Sequence, residues 1–237
     1  MRPALSVVLP AYNEEGNIER VVRDAAAAAA DLAPPYEIVV VDDGSRDATP
    51  AILARLSAEL GERLRVVRHP GNEGYGAALR NGFRATTGEL VFYTDSDNQF
   101  DLRELAGILP LMTEVDAVLG FRIDRQDPWM RKAVSGGFNR LSSAAFGMSV
   151  RDLNCSFKLF RGDLLRALPI DSTDFFVDTE LVARIHRGGW RYVQRGVHHY
   201  PRTSGRSTVR PGDVPRTLKS LVRMWWRLRD QRGSPPR

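Results

Sequence analysis

The chain has 237 residues and 43% apolar content, enough for one domain with a full core. No stretch is long and apolar enough to span a bilayer, no secretory leader is expected because the first apolar run meets Pro10 and then acids, and one cysteine, Cys155, excludes an internal disulfide or a redox pair. The net charge of +5 and a pI near 9.7 leave anionic surfaces and nucleic acid to be weighed, while the four histidines lack zinc-site spacing.

Leu5 to Leu9 is an apolar run, Ser6 apart, ended by Pro10, and Ile38 to Val41 is another ended by Asp42, Asp43, Gly44 and Ser45. Runs of this kind predict strands buried on both faces of a parallel sheet. Between them, residues 17–32 read as a helix with the alanine run Ala25 to Ala30 inside it, closed by Pro34 and Pro35. Thr49 to Leu60 predicts a second helix with Pro50 in its first turn, Leu64 to Val67 a third strand and Gly76 to Ala85 a third helix. The fourth strand, Leu90 to Tyr93, leads straight into Asp95, Asp97 and Gln99.

Polar clusters therefore follow three strands: Tyr12, Asn13 and Glu14; Asp42 and Asp43; Asp95, Asp97 and Gln99. Open α/β sheets bind ligands at the carboxyl ends of their strands, so three clusters there predict one crevice. Alternate side chains aim Asp95 and Asp97 to one side, with Gln99 following as the chain turns. Two carboxylates and an amide form a hard-cation site for Mg²⁺ or Mn²⁺, whose octahedral shell needs diphosphate oxygens and water to complete it. The same residue types also make a solvated turn. The dinucleotide fingerprint is missing after the first strand, which disfavours an NAD-type oxidoreductase. Gly71, Gly74 and Gly76 read as a tight turn and a close backbone approach.

Val8 to Glu15, Val41 to Ser45 and Asp95 to Gln99 resemble the successive signatures of family 2 glycosyltransferases of the GT-A fold. Gly120-Phe121-Arg122, Arg131-Lys132 before Ser135, Arg151 to Phe160, and Arg202 to Ser207 are similar in order to the dolichol-phosphate mannosyltransferase branch, which loads a sugar onto a polyprenyl phosphate. The resemblance implies an α/β fold with a mostly parallel, Rossmann-like sheet flanked by helices. It implies a nucleotide-sugar donor, GDP-mannose in preference to a UDP-sugar, and a polyprenyl phosphate acceptor. Pro10, Tyr12, Glu14, Val41, Asp42 and Asp43 would line the nucleoside pocket, although Asp42 also reads as a structural strand-end acid. Asp95, Ser96 and Arg202 would meet the diphosphate, and Asp95, Asp97 and Gln99 the metal. Arg122, Arg131 and Arg202 would gather positive charge around donor and acceptor phosphates, as the guanidinium fork does well. Thr208 stands where the branch has lysine, so Arg206 or Arg210 would supply that charge.

A phosphate monoester, with a second pKa of about 6, is already an anionic nucleophile and needs no dedicated base. Asp97, Arg122, Arg131 and Asp152 are therefore the catalytic candidates, with Asp152, Asp178 and Glu180 positioning acceptor or sugar. Asp178 and Glu180 read equally well as acids of a helix first turn. In-line attack predicts inversion at the anomeric carbon.

From Pro201 to Arg237 there are ten Arg and Lys against two Asp, a surplus of eight. Leu218, Leu221, Val222 and Trp225 follow helical spacing among Arg216, Lys219, Arg223, Arg227 and Arg229, and Trp226 widens the aromatic surface. Tryptophan beside arginine predicts an interfacial anchor on anionic lipid in preference to nucleic acid, and the same pattern also reads as a terminal helix packed on the domain with a solvated basic face. Trp129 to Phe146, with Trp129 and Phe138 beside Arg131, is a second acceptor-facing or core-packed helix. The expected organisation is a transferase domain over 1–212, an amphipathic membrane-interface helix over 213–230 and a disordered tail over 231–237. The expected location is peripheral, on the cytoplasmic face of the cell membrane, with a membrane-spanning partner protein as a further anchor.

Overall fold

The computed structural model describes residues 2–123, 129–202 and 213–229, without the side chains of 129–134, 213–218 and 228–229. Arg206, Ser207, Thr208, Arg210 and the expected tail lie outside the described residues, as do the side chains of Trp129 and Arg131. The described chain forms one seven-stranded sheet with helices on both faces.

Strands β1 (Leu5–Ala11), β2 (Tyr36–Asp42), β3 (Leu64–Arg68) and β4 (Leu90–Tyr93) are all mutually parallel and lie in the order β3-β2-β1-β4. They are joined by helices α1 (Ile18–Leu32), α2 (Thr49–Leu60) and α3 (Tyr75–Ala85). Each apolar run becomes a buried strand because helices cover both faces of the sheet. Along β1, Leu5, Val7, Leu9 and Ala11 enter one core with α1 and α2, while Val8 enters the other with α3.

The sheet continues as β6-β5-β7, built from β5 (Ala117–Ile123), β6 (Lys158–Arg161) and β7 (Tyr192–His198). Strand β5 pairs parallel with β7, whereas β6 runs antiparallel to both β4 and β5. Tyr93 at the end of β4 therefore sits opposite Lys158 at the start of β6. The loop feeding β6 is brought to the edge where β1, β2 and β4 end. That reversal assembles the site.

Helices α4 (Trp129–Phe146), α5 (Gly162–Ala167), α6 (Val177–Arg187) and α7 (Asp213–Arg229) complete the chain. Phe138, expected on an acceptor face, turns inward and meets Phe176 edge-on at 6.4 Å, because it belongs to the second core. Helix α7 buries Leu221 and Met224 in that same core, with Trp225 packed against it. Val222 and Trp226 point outward, 53% and 57% exposed. The apolar residues of α7 are thus divided between core and surface, and Val222, expected on the stripe with Leu221, is on the outer side. No described helix is long and apolar enough to cross a membrane.

Candidate active site

The Asp95–Gln99 segment leaves β4 at the centre of the carboxyl edge. Tyr75 Oη donates to Asp95 Oδ1 at 2.8 Å and Ser156 Oγ donates to Oδ2 at 2.6 Å. Burial, together with the charge of Asp97, pushes the Asp95 carboxyl up to about 6 despite these two hydroxyls. Asp97 accepts from Arg202 Nη2 at 2.6 Å and from the Gln99 backbone at 3.2 Å. Burial raises its pKa as well, outweighing Arg202. Glu14 is shifted upward by burial too, although Asn17 Nδ2 donates to it at 2.6 Å and Arg202 lies 3.6 Å away. The cluster holds more negative charge than Arg202 offsets, which is the environment a divalent cation relieves.

Among the described residues no three His, Cys, Asp or Glu side chains form a self-sufficient metal cage. Asp95 and Asp97 accordingly fit a hard cation completed by ligand oxygens and water. Gln99 Nε2 donates to Tyr200 O at 2.9 Å, and Tyr200 N returns a bond to Gln99 O at 2.9 Å. This bridge ties the segment after β7, which carries Arg202, to the carboxylates and leaves the Gln99 amide oxygen as its remaining acceptor.

The nucleoside side is built by cross-bracing. Ser96 Oγ donates to Pro10 O at 2.8 Å, joining the ends of β4 and β1. Asn13 takes a left-handed backbone with φ of 55°, a conformation asparagine tolerates, and its N–H donates to Ser45 Oγ while its Oδ1 accepts from Arg46 N. Glu14 N donates to Thr49 Oγ1. Tyr12 is half-buried beside this turn. Clefts of about 510 and 490 Å³ flank it, the first lined by Asn13 to Asn17 with Arg46 and Asp47, the second by Gly44 to Arg46 with Arg68 to Gly71.

Three of the expected nucleoside contacts are placed differently. The Val41 side chain is wholly buried in the core with Val8, Ala78 and Leu79, so only its backbone faces the loops. Asp42 is buried and accepts from Ser45 N at 2.9 Å, with Arg68 at 3.4 Å, in keeping with its structural reading. Asp43 accepts from His69 Nδ1 at 2.7 Å, Glu73 N at 2.8 Å and Gly74 N at 2.9 Å, while Asn81 Nδ2 donates to His69 Nε2 at 2.9 Å. The paired acids spend their oxygens on shaping loops. Gly44 permits the contact between them, since its φ is +73° and a Cβ there would lie 2.5 Å from the Gly71 carbonyl carbon.

Arg122 and Asp152 meet as a fork, with Nε–Oδ2 at 2.7 Å and Nη2–Oδ1 at 2.8 Å. In this arrangement both oxygens of Asp152 accept from Arg122. Glu180 has no exposure and accepts from Asp171 N, Ser172 N and Arg184 Nε, so it anchors the loop before α6. Asp178 is likewise buried, bonded to Lys158 Nζ at 2.6 Å and to the Tyr93 hydroxyl. Both acids stand in the first turn of α6, as the helix-dipole reading has it, and both are also committed to these contacts.

A family model described as "Glycosyl transferase family 2" matches residues 6–168. The chain belongs to family 2 of the glycosyltransferases. Its sequence is 34% identical to glycosyltransferase AglD of Haloferax volcanii over 94% of this chain and 37% of that protein. It is 33% identical to the undecaprenyl-phosphate 4-deoxy-4-formamido-L-arabinose transferase of Serratia proteamaculans over 69% of this chain and 51% of that one. The chain thus spans about half the length, or less, of these relatives. Glucosyl-3-phosphoglycerate synthase from Mycobacterium tuberculosis, solved with Mn²⁺, UDP and phosphoglyceric acid, superposes with a TM-score of 0.73 at 25% identity, covering 94% of this chain and 78% of that one. The same enzyme with Mn²⁺ and UDP-glucose gives 0.72 at 25% identity, over 94% and 79%. The expected α/β, GT-A-type fold is borne out.

Sequence reasoning had not singled out Tyr75, Tyr93, Ser156 or Lys158 in this family 2 glycosyltransferase. Ser156 and Lys158 stand inside the Arg151–Phe160 segment that carried the resemblance, but a serine and a lysine between Cys155 and Leu159 give no sign that one meets Asp95 and the other is sealed in the core.

Proposed function

We propose that this family 2 glycosyltransferase moves a hexose, mannose in preference to glucose or an N-acetylated sugar, from a nucleotide diphosphate to polyprenyl monophosphate with inversion. The observation that carries the reading is the carboxylate pair at the carboxyl edge of the sheet, with Asp97 buried and bonded to Arg202 and Asp95 held by Tyr75 and Ser156. A Mg²⁺ or Mn²⁺ held by Asp95 and Asp97, with Gln99 beside them, supplies charge neutralisation of the leaving diphosphate.

The remaining work falls to the chain itself. Arg202, bridging Asp97 and Glu14, is within reach of donor phosphate. Pro10, Tyr12, Glu14 and the loops held by Asp42 and Asp43 enclose the nucleoside. Arg122 orients acceptor phosphate while Asp152 fixes its fork, and Arg131 and Arg206 add positive charge on the acceptor side. The acceptor phosphate is its own nucleophile, so no residue is assigned as general base. Polyprenyl phosphate is supported by the printed name of the 33%-identical Serratia relative, and a UDP-sugar by the ligands of the mycobacterial neighbour. GDP-mannose rests on the resemblance to the mannosyltransferase branch.

Helix α7, with Trp226 outward beside Lys219 and Arg223, suits the anionic lipid surface on which such an acceptor lies, and so does a peripheral cytoplasmic location. The deciding experiment offers GDP-mannose, UDP-glucose and UDP-N-acetylglucosamine in turn, with Mg²⁺ or Mn²⁺, to polyprenyl phosphate and to matched polyprenol. Product with one donor and only the phosphate is expected. Asp97→Ala should abolish it with the fold intact, and wild-type turnover by that variant would remove the cation assignment.

A further inference from the structure

Asp95 is gripped from two sides by groups that reach it from different parts of the chain. Tyr75 opens α3 and places its hydroxyl 2.8 Å from Oδ1, while Ser156, in the loop before β6, places its own 2.6 Å from Oδ2. One donor on each oxygen fixes the rotation of the carboxylate and leaves its other lone pairs to face the half-exposed mouth of the site.

Each donor is itself held. Ser156 is buried between Cys155 and Phe157, and Lys158 Nζ reaches back into the same loop, to Leu153 O at 2.9 Å and to Cys155 O at 2.5 Å, while paired with Asp178 and bonded to Tyr93 Oη at 3.0 Å. A fully sealed lysine in a strand is an expensive way to pack a core, and its contacts converge on the loop that delivers Ser156. Tyr75 stacks on Phe175 with centroids 5.1 Å apart, and Gly76 N donates to Thr173 O at 3.0 Å. Gly74, at φ +98°, lets this loop approach, since a Cβ there would lie 2.3 Å from Thr173 O.

We propose that Ser156 and Tyr75 are positioning residues that set the carboxylate of Asp95 for cation binding, with Lys158 holding the loop that presents Ser156. The proposal rests on the reading of Asp95 and Asp97 as the cation site. Groups that orient a metal ligand typically govern affinity by 10–100-fold on removal.

The test is Mn²⁺ binding by the full chain in the presence of UDP or GDP, followed by loss of the free-ion electron paramagnetic resonance signal, with thermal unfolding measured on every variant. Ser156→Ala and Tyr75→Phe should each weaken Mn²⁺ binding about tenfold or more while unfolding close to the wild-type temperature. Ser156→Thr, which keeps the hydroxyl, should restore affinity where Ser156→Ala loses it. Folded Ser156→Ala and Tyr75→Phe variants that bind Mn²⁺ as tightly as wild type, while Asp97→Ala binds poorly, would overturn the positioning role and leave the cation site standing. If Asp97→Ala also binds like wild type, the cation reading falls and the positioning role with it.

Discussion

Replacing Lys158 with methionine probes the most heavily committed buried charge among the described residues. Its ammonium has no solvent exposure and four acceptors within 3.0 Å: Asp178 Oδ1, Tyr93 Oη, Leu153 O and Cys155 O. Lys158→Met strands the buried Asp178 carboxylate, which alone costs about 3–5 kcal/mol. Two carbonyls lose their donor as well, each at about 1–3 kcal/mol where no water replaces it. The expected loss is therefore about 5 kcal/mol or more, a third or more of the ~5–15 kcal/mol that holds a typical domain together. At about 2–4 °C per kcal/mol for a chain of this size, the melting temperature should fall by at least ~10 °C. Calorimetry and urea unfolding would read it. The double variant Lys158→Met/Asp178→Asn should recover part of the loss, because it removes the stranded charge. A single variant within about 1 kcal/mol of wild type, or a double variant whose loss equals the sum of the singles, would refute the reasoning.

Two further outcomes are expected. Trp226→Ala should weaken binding to anionic vesicles by about tenfold, from the ~1.5–3 kcal/mol that burying a large apolar side chain contributes, and leave nucleotide affinity unchanged. Equal loss of both would make α7 a purely structural element. Burial pushes the Glu37 carboxyl up, but hydrogen bonds from Ser6 and Thr87 outweigh it and hold the group below its ordinary value of 4.5. The stability it contributes is then present in full above the unfolded value and is lost as pH falls through the lower folded value. The stability gap between wild type and Glu37→Gln should narrow on going from pH 7 to acid in denaturant titrations. A gap constant with pH would contradict this.

The amino-terminal half was legible because β1, β2 and β4 are buried on both faces and so appear as largely apolar runs with polar ends. Leu90 to Tyr93 and Thr49 to Leu60 match the observed bounds, β1 and β3 start where expected and run two residues and one residue longer, and β2 extends two residues earlier and one later. In the other half only β5, with its buried run Ala117-Val118-Leu119, carried such a signal. Strand β6 has four residues and opens with a lysine, and β7 alternates between half-exposed and exposed positions, so neither resembles a buried strand in sequence. The site was legible as a set of residues but not as a set of contacts. Asp95 and Asp97 stood out by position, whereas Asp43 is turned inward by donors from His69, Glu73 and Gly74 in the loop after β3, and Asp42 by Ser45 N.

The reversed β6 also gives the molecule a seam. On one side lie β3-β2-β1-β4, a unit continuous in the chain from Leu5 to Tyr93; on the other lie β6-β5-β7, and the two meet along β4 and β6. The polar clusters after β1, β2 and β4 all belong to the first unit, whereas Ser156 and Arg202, which bond to Asp95 and Asp97, arrive from the second, so a shift of one unit against the other would open the site. The seam is closed at the site by side chains as well as backbone: Ser156 on Asp95, Lys158 on Tyr93 and Arg202 on Asp97.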